Sequence, residues 1–321
     1  MIHYFVHREG VTRQVETIDP AWLTADGGFY VWADVHAPTP EDAMVLRDIF
    51  KFHPLALEDA MQSMQFPKIE VYPTFVYVVL HGIDFQAERH SFETQDVDFF
   101  LGRRFLVTVH DGHRRSVLEL EAKCAHNNAI LGEGPVALMQ RIVDNMVDHY
   151  RPEVDELEDR LDEIEMQVLE NPIATLTAEI LAVKRDISSM RRVVIPQRDI
   201  VGRLARREFD IIDQEMAFRF RDVYDHLVRL ADESIIFQDR VTGILDAHLA
   251  SVSNRLAVVS RVLAAFAVIF GPLTIITGLF GMNVQLPRFP GAEWMQFWWI
   301  VFIMAVLTGF VYWIFKRRDW L

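Results

Sequence analysis

Cysteine is almost missing from this chain: Cys124 stands alone among 321 residues. A single thiol excludes an intrachain disulfide framework and any cysteine-based zinc finger, and it fits a reducing compartment. Basic charge is also scarce, with 32 Lys and Arg against 46 Asp and Glu and a formal net charge of −14. Nucleic acid and anionic lipid are poor partners for such a surface, and cations are natural ones. Catalytic signatures are missing as well. There is no Walker motif, no Gly-x-Ser-x-Gly and no His-Glu-x-x-His, so nothing supplies the phosphate loop, nucleophile or activated water those motifs carry. No apolar segment with a cleavage site opens the sequence, and the region before Val262 is expected to be made and kept in the cytosol.

Apolar residues, by contrast, crowd the far end. Val262 to Pro287 and Met295 to Phe315 carry no charge, and each exceeds the ~20 residues that cross a bilayer core. Both are expected to span. Only Met282 to Trp294 separate Gly281 from Met295, so the spans form a tight hairpin with both outer ends on one side. Lys316, Arg317 and Arg318 follow the second span and Arg255 and Arg261 precede the first, whereas the loop has one base, Arg288, and one acid, Glu293. The positive-inside bias puts both termini in the cytosol, with the spans in the plasma or inner membrane. Trp294, Trp298, Trp299, Tyr312, Trp313 and Trp320 cluster at the ends of the second span, as interfacial anchors do.

The preceding sequence divides in two. Tyr30 to Val35, Val71 to Leu80, Asp96 to Leu101 and Phe105 to His110 read as strands, with one helical stretch, Pro40 to Met61, among them. Residues 1–130 are therefore expected to form an α+β domain with its own core. Residues 131–261 read as helical. Val154, Leu157, Leu161, Ile164 and Val168 step by 3 and 4, as do Ile180, Val183, Ile187, Met190 and Val194. These are heptad seams of an antiparallel hairpin, with Asn171 and Pro172 at the turn. Its first arm holds nine acids between Glu153 and Glu170 against one Arg. A solvated helix face accounts for them, and so does concentration of cations near a pore mouth.

From Gln214 no proline occurs until Pro272, and helical patterning runs on into the third region, the membrane hairpin of residues 262–321. Such a helix, roughly 100 Å long at 1.5 Å per residue, needs partners on several sides and implies oligomerisation. Asp225, Asp232, Asp239 and Asp246 recur every seven residues along it. Beyond them Ala250, Ser253, Ala257, Ser260, Ala264, Ala267, Gly271, Thr274, Gly278 and Gly281 step by 3 and 4, and all are small. Small residues at this spacing let membrane helices pack closely. Equally, they leave a water-filled bore in which hydroxyls and carbonyls meet hydrated ions. Asp246 continues the same phase, and no basic residue lies on the line.

Gly281-Met282-Asn283 closes the first span, and there the chain resembles the CorA family of divalent-cation channels. Other matching stretches are Phe52-His-Pro-Leu-Ala-Leu-Glu-Asp59, Pro67-Lys-Ile-Glu-Val, Phe220-Arg-Asp-Val-Tyr-Asp-His226, Ser251-Val-Ser-Asn-Arg255, Phe270-Gly-Pro-Leu-Thr274 and Trp320-Leu321. The resemblance implies a funnel-shaped homopentamer. Its cytosolic domain would be an α/β/α sandwich, stalk helices would line the pore, and the second span would face lipid. It also implies a pore line of Asn283 in a Gly281-Met282-Asn283 filter, then Thr274, Gly271, Leu263, Ser260, Ala257 and Asp246. Amide oxygens at the mouth suit Mg²⁺, which dehydrates reluctantly. Regulatory divalent ions are implied between subunits, at Asp59 of one and Asp222 of the next, with Glu58 and Asp144 at an adjacent site. Opposed carboxylates repel unless an ion bridges them, so cytosolic Mg²⁺ would hold the pentamer closed.

Departures from the family pattern leave the ion open. Ala257 and Ser260 stand where Asn and Met are common, which leaves Leu263 as the dewetting girdle. Phe280 replaces the usual Tyr. Gln285, Leu286, Pro287 and Arg288 replace an acidic Met-Pro-Glu-Leu element. Pro290-Gly-Ala-Glu293 is similar to the zinc-transporting ZntB branch. The function expected is divalent-cation transport, of Mg²⁺ with Co²⁺ or Ni²⁺ as further ions, or else of Zn²⁺; a non-conducting divalent sensor is the remaining alternative. Histidine adds little: His149, His226 and His248 lie on or near funnel helices, but no His-x₃-His pair on one helix face appears, so no closed zinc site of the usual geometry is visible.

Overall fold

A computed structural model describes all residues except 25–26, 63–64, 84–93, 113–114, 171–174, 283–288 and 318–321. The chain forms two compact units, Met1–Leu245 and Asp246–Leu321.

The first unit is built on a seven-stranded sheet in the order β2-β1-β3-β7-β6-β5-β4. Its strands are β1 (Ile2–Arg8), β2 (Val11–Val15), β3 (Tyr30–His36), β4 (Lys68–Val71), β5 (Phe75–Ile83), β6 (Thr94–Gly102) and β7 (Phe105–His110). β3 and β7 run parallel, and the other neighbours are antiparallel. Because successive strand residues face opposite sides, the sheet has two apolar faces. Phe5, Trp32, Val78, Phe99 and Leu106 share one core with α3 (Arg115–His126) and α5 (Pro135–Asp148). Tyr4, Val31, Tyr77, Phe100 and Val107 share the other with α1 (Pro40–Phe50) and α2 (Pro54–Ala60). Every residue of β5 is buried, as expected of a strand covered on both sides. The layers are those of an α/β/α sandwich, completed by the short α4 (Asn128–Gly132).

Two expected elements are divided. The stretch Pro40 to Met61 is two helices. Thr39 and Asp42 close a capping box at the start of α1, and Lys51 ends it at φ 58°, in the left-handed region. The ring of His53 then accepts from the Leu55 amide at 3.2 Å, and Pro54 opens α2. Proline suits that first position because its missing N–H has no partner there anyway. Likewise Val71 to Leu80 is a hairpin, β4 to β5, closed by the Tyr72 amide donating to the Phe75 carbonyl at 2.9 Å.

Both heptad seams lie in α6 (Tyr150–Glu170) and α7 (Leu176–Ala205), and every seam residue is buried. Arg160 and Asp186 tie the two arms at 3.0 Å; the expected turn at Asn171 and Pro172 lies outside the described residues. A closed polar ring fixes this hairpin to the sheet. The Gln197 side chain donates to Tyr150 Oη at 2.9 Å, Tyr150 donates to the His81 carbonyl at 2.8 Å, and the His81 amide donates to Gln197 at 2.7 Å. Buried polar groups satisfied in this way specify one packing.

α8 runs from Gln214 to Phe280. Within the first unit its apolar face (Phe220, Val223, Leu227, Val241 and Ile244) is buried, and Arg240 grips Glu165 at 2.6 Å and also Asp162. In the second unit the rest of α8 is accompanied by α9 (Glu293–Arg317). Both helices are long and apolar enough to cross a membrane, and their apolar windows are largely uncovered in the single chain. That exposure separates them from the core helices of a soluble protein, whose apolar faces are covered.

Candidate ion path and metal sites

On α8, Asp225, Asp232, Asp239 and Asp246 are all exposed. So is every residue of the small line from Ala250 to Gly281 except Gly271, which is half-buried. A Cβ placed on Gly271 or Gly278 would meet nothing within 4 Å. The line is thus not packed against α9 of the same chain. Close helix packing remains a reading of it only between copies. Thr274 donates its hydroxyl to the Phe270 carbonyl at 2.8 Å, and Thr277 donates to Leu273 at 3.0 Å. With their protons turned back into the helix, these oxygens keep lone pairs free as acceptors, which suits a cation. Leu263 is 64% exposed, an apolar side chain standing beside Ser260 and Ala264.

At the lip, the Gly281 amide donates to the Thr277 carbonyl at 2.9 Å and closes the last turn of α8. Asn283, the residue the sequence singles out at the mouth, and Arg288 lie outside the described residues. The loop re-enters at Phe289, which is held at both backbone ends by Gln296 of α9, at 2.8 Å and 2.6 Å. Its ring lies between those of Phe280 and Trp299, with centroids 6.1 Å and 6.2 Å away. This buttress was not legible beforehand. The signal available was Phe280 in place of Tyr, since a ring without a hydroxyl can stack in an apolar clasp.

In the first unit, Asp59 sits near the end of α2 and is part-buried, while Glu58 beside it is exposed. Lys68 of β4 donates to the Asp59 carboxylate and lies 3.3 Å from Glu70. Burial works against the lysine charge, and the hydrogen bonds to Asp59 and Glu70 outweigh it, holding its pKa above the usual value. Pro67-Lys-Ile-Glu-Val was singled out in the sequence, but this pairing was not. Asp144 on α5 lies close enough to Asp148 and to Asp222 on α8 for their charges to be felt. Its pKa is raised, first by burial and then by those two carboxylates, with His226 opposing. His226 itself lies 3.8 Å from Asp148. Asp222 therefore neighbours Asp144 within one chain. Oxygen donors dominate both groups, the set a hard cation such as Mg²⁺ prefers.

Residues 28–317 match the family described as CorA-like Mg2+ transporter protein. The chain is 32% identical to the Bacillus subtilis protein YfjQ over 309 residues, 96% of this chain and 92% of that one. It is 29% identical to the cobalt/magnesium transport protein CorA of Thermotoga maritima over 317 residues, 98% and 89% of the two chains. Identity to the zinc transport protein ZntB of Cronobacter sakazakii is 26% over 296 residues, 90% and 88% of the two chains. In fold it superimposes on the complete CorA magnesium transporter of Methanocaldococcus jannaschii with a TM-score of 0.82, at 20% identity, covering 100% of this chain and 99% of that one. Sandwich, long helix and paired apolar helices all have their counterparts there. The chain belongs to the CorA-like Mg2+ transporter family, a family of transporters and not of enzymes.

Proposed function

We propose that this CorA-family divalent-cation transporter carries Mg²⁺ through the axis of a homopentamer in the plasma or inner membrane, with both termini in the cytosol. The observation that carries this reading is the exposed small-residue line of α8, which its own α9 leaves uncovered. In a ring of copies that line faces the axis, and α9, with Trp298, Phe302 and Phe310 exposed, faces lipid. Ions enter past Gly281, Met282 and Asn283, then pass Thr274, Gly271, Leu263, Ser260, Ala257 and Asp246. Selection through the hydration shell avoids stripping Mg²⁺ of water. An inside-negative potential of 100 mV favours entry by ~2.3 kcal/mol per charge.

The division into a sensing domain (1–130), hairpin and stalk (131–261) and membrane hairpin (262–321) serves gating. Mg²⁺ held by Asp59 and Asp222 of neighbouring subunits, with Glu58 and Asp144 nearby, bridges carboxylates that otherwise repel. Losing the ion loosens the ring and opens the pore.

Zn²⁺ as cargo is the second reading, supported by the full-length similarity to ZntB and by Arg288 and Pro290-Gly-Ala-Glu293 in the loop. Flux into liposomes holding the purified protein tests both. Metal-dependent uptake is expected. No uptake of Mg²⁺, Co²⁺, Ni²⁺ or Zn²⁺ would leave a non-conducting sensor instead.

A further inference from the structure

The first unit brings together a histidine group that lies apart from every residue assigned above. Strand register sets His3 opposite Asp34, Asp34 opposite Thr108, and His36 opposite His110. Alternation along β1, β3 and β7 therefore puts His3, Asp34, His36, Thr108 and His110 on one face. His36 and His110 are the last residues of the parallel pair β3 and β7. The carboxyl ends of parallel strands are where open α/β sheets take ligands. α3 covers this corner and supplies Glu121.

We propose that His3, His36 and Glu121 bind a transition-metal ion of the Zn²⁺ class, beside the buried Asp34–His110 pair. One Glu121 oxygen contacts His3 Nδ1 and the other lies 3.6 Å from His36 Nε2. All the ligand atoms fall within 4.8 Å of one another. Ligands about 2.0–2.1 Å from a tetrahedral zinc are roughly 3.3 Å apart, so small side-chain adjustments complete the site. Two imidazoles and a carboxylate form a recurrent zinc set that leaves a fourth position open. Mg²⁺, which wants oxygen in octahedral array, is poorly served by it. The side chains of His3, His36 and Glu121 are 29%, 18% and 15% exposed, so an ion can reach them from solvent.

Behind these ligands lies a buried polar cluster. Asp34 is fully buried, accepts from Thr108, and lies 2.6 Å from His36 Nε2 and 3.3 Å from His110 Nε2. Trp32 Nε1 donates to Thr108 at 3.0 Å. The Gly112 amide donates to His110 Nδ1 at 3.0 Å, which leaves the His110 proton on Nε2, facing Asp34. Asp34 thus meets His36 at the nitrogen an ion would take, where it competes with the ion, while Thr108 and His110 hold that carboxylate in position. An ion at His36 Nε2 takes the place of the proton that nitrogen gives Asp34, and Asp34 keeps Thr108 and His110. The site would let the domain read a transition metal separately from Mg²⁺, and it does not rest on the transport reading.

The test uses the full-length protein in detergent, stripped of metal and with a free N-terminus, because the Met1 amino group donates to the His36 carbonyl at 2.9 Å. Excess Mg²⁺ fills oxygen-donor sites while Zn²⁺ is titrated by equilibrium dialysis and Co²⁺ by its visible spectrum. One Mg²⁺-resistant ion per chain is expected, with a tetrahedral Co²⁺ spectrum. His36→Gln and Glu121→Gln should each weaken it by about tenfold or more, while His126→Gln leaves it unchanged. Should His36→Gln misfold, the conservative Glu121→Gln and the parent spectrum still decide. No Mg²⁺-resistant ion on the parent, or equal affinity in Glu121→Gln, overturns the proposal.

Discussion

Lys68 donates to the Asp59 carboxylate within one chain, so the carboxylate proposed to hold a regulatory ion already has a cationic partner. In the proposed gating, metal and lysine would compete for the same oxygens, and the lysine would set how much divalent ion closure requires. Both side chains are about a third exposed, which places the pair among weak, solvent-screened ones.

Lys68→Met should therefore sensitise the protein to Mg²⁺. A part-exposed pair is worth about 0.5–1 kcal/mol, which corresponds to a shift of roughly two- to fivefold. Flux recorded against internal Mg²⁺ should show half-inhibition at a concentration lower by that factor. An unchanged curve would detach Asp59 from gating.

Leu263 is the large apolar side chain on the proposed pore line. Replacing it by Asn puts a wettable amide where dewetting is expected to stop ions. Leu263→Asn should conduct even at internal Mg²⁺ that silences the parent. Equal inhibition in both would move the gate elsewhere.

Asp98 carries a pH signature. Burial pushes its carboxyl up to about 8, the Tyr77 hydrogen bond pulls against this, and the Asp96 charge adds to it. The folded chain thus holds a proton that the unfolded chain releases near the ordinary value of 3.8. Its stabilising share is present at low pH and is lost as pH climbs from about 4 to about 8. Thermal unfolding of the full-length protein should drop more between pH 5 and pH 8 for the parent than for Asp98→Asn. Parallel profiles would mean that Asp98 is ionised when folded.

The heptad seam makes a simpler prediction. Ile187 is fully buried between α6 and α7, whereas Leu181 on the same helix is 45% exposed. Ile187→Ala should cost about 2–5 kcal/mol by cavity formation, and Leu181→Ala should stay within about 0.5 kcal/mol. Denaturant midpoints of the two variants measure the difference.

Patterns with one dominant period could be read directly. Phe105–His110 is a strand with the expected bounds, both heptad seams are buried, and α8 starts at Gln214. Local backbone punctuation was harder. Lys51 in the left-handed region and Pro54 as a helix opener split one apparent helix, although neither residue type alone announces a break. Groups assembled by tertiary register could not be read at all. His3, His36 and His110 are scattered along the sequence and meet only because β1, β3 and β7 are neighbours. Nothing in their spacing predicts that order. The Lys68–Asp59 pair and the Phe289 clasp depend in the same way on a hairpin and a loop return. Asn283 owes its assignment to the family motif.

The most direct test is competitive Mg²⁺ and Zn²⁺ flux through purified protein in liposomes, parent beside Asn283→Ala. The parent is expected to pass Mg²⁺ ahead of Zn²⁺, and Asn283→Ala to lose at least about tenfold in Mg²⁺ flux, since each missing amide removes a contact worth about 1 kcal/mol or more. Intact rates for both ions in Asn283→Ala would contradict a filter at the Gly-Met-Asn lip, and faster Zn²⁺ in the parent would contradict Mg²⁺ as the cargo.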